Sequence, residues 1–366
     1  MRFRPSLLLL AGATAAALIG SAGPASAGPA GAAGAASHGP RITVLDRTVS
    51  APYQLASGHG GVYVADGGTS TVSRLTRHGL VPVAHGPQPG EVAGVAVNGR
   101  GDLAYTSTDY TTGATALTIK PRYGRTVVAD LAAFERRHNP DQHVRYGIDN
   151  PTPCQVKAFE PLGGASTTGQ VDSHPYSVAA LPGGAWVVGD AGGNDLLKVD
   201  RKGRISVLSV LPRQPTVISA SAAAQLGLPD CVVGAVYNFE PVPTDVEVAA
   251  HGRLVVSLLP GGPEDPSLGA RGAVVSVNSR TGRATRLAGG FAGATNVALG
   301  SHGRIFVSEL FGGRISVIDR GRVRPYVELA GPLGLTWSRG TLYAGTAGPT
   351  DAEGNPTGPG TIVAIR

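Results

Sequence analysis

Pro52-Tyr53-Gln54-Leu55-Ala56 leads through a short turn to Val62-Tyr63-Val64-Ala65-Asp66, and the same grammar returns at Pro175-Tyr176-Ser177-Val178-Ala179 and Trp186-Val187-Val188-Gly189-Asp190. An apolar strand, a Gly-containing turn and a second strand ending on an acid make one unit. Thr244-Asp245-Val246-Glu247-Val248 with Leu254-Val255-Val256-Ser257 is a third copy, and Thr295-Asn296-Val297-Ala298-Leu299 with Ile305-Phe306-Val307-Ser308-Glu309 a fourth. Weaker copies begin at Ala93-Gly94-Val95 and Leu333-Gly334-Leu335, giving six. Each copy is followed by two further strand-like runs, so the unit is a four-stranded sheet of roughly 40 residues.

Six such units predict an all-β, six-bladed β-propeller. The ends of the chain agree with a closed ring. The last unit stops at Thr361-Ile362-Val363-Ala364-Ile365, its third strand, while Arg41-Ile42-Thr43-Val44-Leu45 precedes the first unit unassigned. Pairing the two completes the sixth blade from both ends of the chain, a 3+1 closure that leaves no exposed edge.

Composition supports this reading by exclusion. With 54 Gly and 28 Pro among 366 residues, helical bundles and coiled coils are out, and 42% apolar residues with a net charge of +6 argue against disorder. Part of that charge is Arg2 and Arg4, and no block of like charges marks a nucleic-acid footprint or a polybasic membrane patch. Arg2 and Arg4, the apolar run Leu7 to Ile19 and Ala25-Ser26-Ala27 have the pattern of a signal peptide over 1–27. An Ala/Gly/Pro-rich leader over 28–40 and a propeller over 41–366 complete the expected organisation. No later apolar run is long enough to span a membrane. A secreted, monomeric protein is the expectation, with no nucleic-acid partner and no membrane insertion.

Insertion lengths separate the two faces. In a propeller the turns joining strands 1 and 2, and 3 and 4, lie on the bottom, and here they are short and Gly-rich, as in Leu181-Pro182-Gly183-Gly184. The long segments, inserts 130–173 and 212–243 above all, fall on the top. Loops on a rigid scaffold commonly carry binding, so the top face is the expected functional face. Two short helices are predicted there. Asp130 caps Leu131 to Arg137, and Ser219 or Ser221 caps Ala222 to Leu226. The only cysteines, Cys154 and Cys231, stand one in each insert, which in an exported protein favours a disulfide between them.

The starts of first strands and the ends of second strands both point to the top of the central channel. This places Tyr53, Tyr176, Asp245, Asn296, Asp66, Asp190 and Glu309 at its mouth, with His174 beside Pro175. Two readings follow. One is a binding surface for an extracellular small molecule or protein, with no cofactor. The other is a hydrolase, lactonase or lyase in which Asp66, Asp190, Asp245, Asn296 and Glu309 hold Ca²⁺ or Mg²⁺ through oxygen ligands. Nucleophilic catalysis finds no Gly-x-Ser-x-Gly elbow, and Asp172-Ser173-His174 are sequence neighbours rather than a triad.

Val171-Asp172-Ser173-His174-Pro175-Tyr176, Gly189-Asp190-Ala191-Gly192-Gly193-Asn194-Asp195-Leu196, Glu240-Pro241-Val242-Pro243-Thr244-Asp245-Val246-Glu247, Leu259-Pro260-Gly261-Gly262-Pro263-Glu264-Asp265 and Glu309-Leu310-Phe311-Gly312-Gly313 resemble the ScyD/ScyE family of exported proteins, named for genes associated with scytonemin pigment clusters. The resemblance runs over essentially the whole chain after the leader. It implies a secreted propeller related to the NHL-type repeats, which are mostly binding scaffolds, and carries no enzymatic activity to transfer. In the first insert this chain has Arg137-His138-Asn139-Pro140-Asp141 where family members carry Asn-Asn-Pro-Asp.

Overall fold

The computed structural model describes residues 39–263, 266–349, 351 and 357–366. The expected signal peptide and most of the leader lie outside them. Six antiparallel sheets follow one another along the chain in the predicted order, with first strands at Pro52–Gly58, Pro175–Ala180, Pro243–Val248, Ala294–Leu299 and Pro332–Ser338 and, in blade 2, one split into Gly90–Glu91 and Val95–Val97; the other five sheets have four strands each. Blade 6 is completed by Ile42–Asp46, which pairs with Thr361–Ile365. The 3+1 closure is therefore present, and Arg41 and Arg366 exchange main-chain hydrogen bonds of 2.8 and 3.1 Å at its end.

Apolar side chains from neighbouring blades interlock at each junction. Trp186, Val188 and Leu197 of blade 3 pack on Leu117 and Ile119 of blade 2, and Phe306 and Ile315 of blade 5 pack on Leu335 and Val363 of blade 6. Ile362 meets Leu55 and Val64 across the closure. Each fully buried side chain of this kind contributes roughly 1.5–3 kcal/mol. The alternating pattern of the sequence thus feeds the spaces between sheets rather than a single central core.

The inserts differ from expectation in kind. Asp130 does cap helix α1 (Leu131–His138) through its side chain to the Ala133 N–H, and Ser219 caps a later helix, Ala220–Gln225. Between them lies α2 (Pro153–Phe159), capped by Thr152 with Gln155 reaching back to the cap N–H; the sequence reading missed it. The body of the inserts is a seventh sheet. Its strands run in the order Ser166–Thr168, Arg145–Ile148, Val236–Phe239, Gln214–Val217, so the two central strands come one from each insert, pairing Gly147 with Asn238 and Ile148 with Tyr237. Strands this short give no periodicity of their own, and only the meeting of the inserts sets their register.

Cys154 and Cys231 are bonded, with Cα atoms 6.4 Å apart, as expected from their placement. The bridge closes a span of 77 positions. Chain entropy alone would assign it about 4.5 kcal/mol. The central strand pair and the bidentate Arg213–Asp149 ion pair already hold the inserts together, so the contribution should be smaller. Replacing both cysteines by Ser should cost about 1–2 kcal/mol and should make the inserts the first segments cut in limited proteolysis. A protease pattern and melting curve unchanged from wild type would show that the bridge is mechanically idle.

Candidate functional site at the channel mouth

One position recurs in every first strand, two places after the Pro, Val or Ala that opens the copy. Read round the ring it is Gln54, Gly94, Ser177, Asp245, Asn296 and Gly334. Strand register shifts at or beside this position in blades 1, 3, 4, 5 and 6, a bulge that turns main-chain N–H groups toward the channel. Three side chains receive them. The Gln54 Oε1 accepts from the Val95 and Val178 N–H groups at 2.8 and 3.1 Å, while its Nε2 donates to Asp245 at 2.6 Å. Asp245 accepts from the Val297 N–H at 3.0 Å, and Asn296 from the Leu335 N–H at 2.8 Å. The Asn296 amide also donates to the Tyr53 carbonyl at 3.4 Å. Gln54, Asp245 and Asn296 thus tie all six blades into a polar girdle. Glycine is required at two of the other three places: a Cβ on Gly94 would stand 2.9 Å from the Ser177 Cα, and one on Gly334 2.9 Å from the Pro52 carbonyl.

The girdle divides the channel. Below it lies a cavity of about 220 Å³ walled by the first strands of all six blades, with the Glu247 carboxyl on one side. Burial pushes Asp245 up to about 7, against the lowering effect of its N–H donors and Gln54, and burial also raises Glu247, with Asp245 adding to it.

The acids at second-strand ends have a different task. Asp66 accepts from the Ser50 and Ala51 N–H groups at 3.0 and 2.7 Å. Asp190 accepts from the His174 N–H at 2.6 Å, the Gly193 N–H at 3.1 Å and the Ser173 hydroxyl at 2.7 Å. Glu309 accepts from the Ala292 N–H at 2.8 Å and from Arg314 and Ser316. Each acid holds the segment that enters the first strand of its own blade. A carboxylate suits this because one acceptor must serve two or three donors. The repeat therefore accounts for acids at these places, and the structure distributes Asp66, Asp190, Asp245, Asn296 and Glu309 among separate hydrogen-bonded tasks. Among the described residues, no three His, Cys, Asp or Glu side chains close on one point as a metal shell.

Above the girdle the structure does bring several predicted residues together. The rings of Tyr53 and Tyr176 have centroids 5.1 Å apart, and His174 meets Tyr176 edge-on at 6.0 Å. His174 Nε2 bonds to Glu91, which also accepts from the Tyr110 hydroxyl at 2.9 Å. Burial opposes the charge on His174, but the hydrogen bond and charge of Glu91, with Asp190 and Asp172 behind, raise its pKa. Burial likewise tends to raise Glu91, and His174 with Tyr110 outweighs it and holds Glu91 low. Both shifts favour the ionic form of the pair. Glu91 and Tyr110 come from blade 2 and were not singled out from the sequence, because the weak second copy hid them.

Beside this cluster Val242 packs with Tyr176, Ala93 and Ala191. Its φ of +46° is strained for a β-branched residue. Asn194 holds it there by accepting from the Val242 N–H at 3.2 Å. Strain of this sort persists where the surroundings impose it, commonly beside a working site.

No family profile matches the chain, and no curated protein matches it. Solved structures do. An aldose sugar dehydrogenase from Streptomyces coelicolor, solved with PQQ bound, superimposes with a TM-score of 0.51 at 12% identity, covering 89% of this chain and 98% of that one. A gluconolactonase from Xanthomonas campestris gives a TM-score of 0.51 at 11% identity, with 89% of each chain covered. A streptogramin B lyase reaches 15% identity over 89% of this chain and 97% of that one, with a TM-score of 0.48. At these identities the likeness is one of architecture. The chain is a β-propeller, and its site has to be read from its own residues.

Proposed function

We propose that the protein is a secreted binding propeller of the ScyD/ScyE type, which holds a small aromatic ligand at the channel mouth on the insert-bearing face. The observation behind this reading is the Tyr53–Tyr176–His174 cluster with its Glu91 and Tyr110 partners. The half-buried Tyr53 and His174 rings, backed by the buried Tyr176, supply area to a flat aromatic molecule, and the His174–Glu91 pair with the Tyr110 hydroxyl supplies a polar handle. The disulfide and the lack, among the described residues, of any helix long and apolar enough to cross a membrane are compatible with an extracellular protein. The metal-dependent hydrolase, lactonase or lyase reading has less support, since each carboxylate it would use already serves donors of its own chain.

Saturation-transfer NMR with a panel of phenols and indoles tests the proposal. At least one compound should bind, and Tyr53→Ala combined with Tyr176→Ala should weaken it about tenfold, with the circular dichroism spectrum unchanged. Absence of binding across the panel, or equal binding to the folded double variant, would overturn it.

A further inference from the structure

Behind the mouth, where the first insert meets blade 3, lies a cluster the proposed function does not use. Asp195 opens the third strand of blade 3 opposite Asp190, with 0% of its surface exposed, and neither of its carboxyl oxygens has a hydrogen-bond partner. Glu135 of α1 is 2% exposed with its Oε1 unpartnered, and Asp141 is 0% exposed with its Oδ1 unpartnered. The amide oxygen of Asn139 is buried and unpartnered as well. Leaving one buried acceptor without a donor costs about 1–3 kcal/mol, and more when it is charged. Five oxygens are left in this way, and their residues share one region: Glu135 and Asp190 both border Gly193, and Asn194, next to Asp195, donates to Asp141.

The surroundings sharpen the point. Donors do reach the neighbouring oxygens: Tyr146 and Asn194 donate to the Asp141 Oδ2 at 2.9 and 3.0 Å, and Asp190 is saturated by three donors. The unpartnered oxygens are the ones left over after the protein's own donors have been spent. Among the described residues, no Lys or Arg forms an ion pair with Glu135, Asp141 or Asp195.

We propose that this cluster is a calcium site, with Asp195 as the central ligand and Glu135, Asp141 and the Asn139 amide oxygen completing an all-oxygen shell. Hard oxygen donors, most of them carboxylates, and a need for more than four ligands select Ca²⁺ over transition metals, which favour nitrogen and sulfur. The side chains do not close on one point, so binding includes an inward movement, for which Glu135 has three rotatable bonds. Such a site would pin α1, and with it the first insert, to blade 3. It is distinct from the girdle and from the mouth.

Full-length mature protein stripped with EDTA is titrated with CaCl₂ by calorimetry and by thermal unfolding at pH 7.5. One equivalent should bind with Kd between about 10⁻⁶ and 10⁻⁴ M, and the melting temperature should rise by about 5 °C at a hundredfold excess. Asp195→Asn, which keeps the shape and removes the charge, should abolish both responses, and Glu135→Gln should weaken binding about tenfold or more. If one variant fails to fold, the other decides. No response of the wild type to 10 mM CaCl₂, an equal response to MgCl₂, or an undiminished response in the folded variants would each overturn the assignment.

Discussion

Gln54→Ala should destabilise the whole ring by about 3–5 kcal/mol and lower its melting temperature by about 6–10 °C. The side chain is 3% exposed and serves four blades at once. Its removal strips the acceptor from the Val95 and Val178 N–H groups and the donor from Asp245. Three buried polar groups are then left to whatever water enters from the cavity below, and each one left unmet costs about 1–3 kcal/mol. A cost below 1 kcal/mol would mean that water replaces the amide fully and that the girdle does not bind the ring together. Gln54→Glu is the sharper comparison. It keeps the acceptor for both N–H groups but puts a second carboxyl against Asp245, so it should be tolerated at low pH, where the two share a proton, and destabilising above pH 7.

The girdle also shows where sequence reading reached and where it stopped. Repetition at the level of strands was visible because β-alternation and Gly turns recur, and this carried the blade number, the closure and the segregation of long loops to one face. Asp245 and Asn296 were picked out as polar residues at strand starts. Gln54 does not stand out in the Pro52-Tyr53-Gln54 run, since its role depends on a side chain crossing the channel to blades far away in sequence. The signal was nevertheless present as a column: Gln, Gly, Ser, Asp, Asn and Gly at one repeat position, where an ordinary inner strand would be apolar.

The mouth was half legible for a similar reason. Tyr53, Tyr176 and His174 lie in strong copies of the repeat, whereas Glu91 and Tyr110 lie in the one whose first strand is interrupted between Glu91 and Val95. Acids at second-strand ends are read from the sequence as polar groups of the mouth and, only in the alternative reading, as metal ligands. Their actual partners are main-chain N–H groups, which a sequence does not display. The insert acids were invisible altogether. Glu135 sits on a helix whose cap was predicted, yet its inward direction depends on how α1 docks, which sets its carboxyl against Gly193 of blade 3.

In calcium-free buffer the stability of the protein should fall as the pH rises from 5 to 8.5. Burial, together with Asp190, Asp141 and Asp172, pushes Glu135 up to about 8, and burial pushes Asp245 up to about 7. Asp141, Asp172, Asp190, Asp195, Glu240 and Glu247 are raised as well, burial being the largest cause in each. A carboxyl whose pKa is higher in the folded chain than in the unfolded one holds a proton there that the unfolded chain has already released. Between about pH 4.5 and 8 the folded state therefore binds more protons, and stability declines with pH across that window. His174 acts in the same sense. Its raised pKa gives stability that is present below about pH 6.5 and is lost as pH climbs through the folded value. Glu91 and Glu309, held low by His174 and by Arg314, oppose the trend only toward acid, where their protonation removes stability. Solvent screening and relaxation reduce what such shifts deliver, so the net swing from pH 5 to 8.5 should be about 2–4 kcal/mol. Urea unfolding at pH 5, 6.5 and 8.5 in EDTA measures it. Stability that is flat or rises over this range would mean that the buried acids are ionised and neutralised within the chain. A decline that CaCl₂ reverses in the wild type, but not in Asp195→Asn, would tie the loss at alkaline pH to the cluster beneath the inserts.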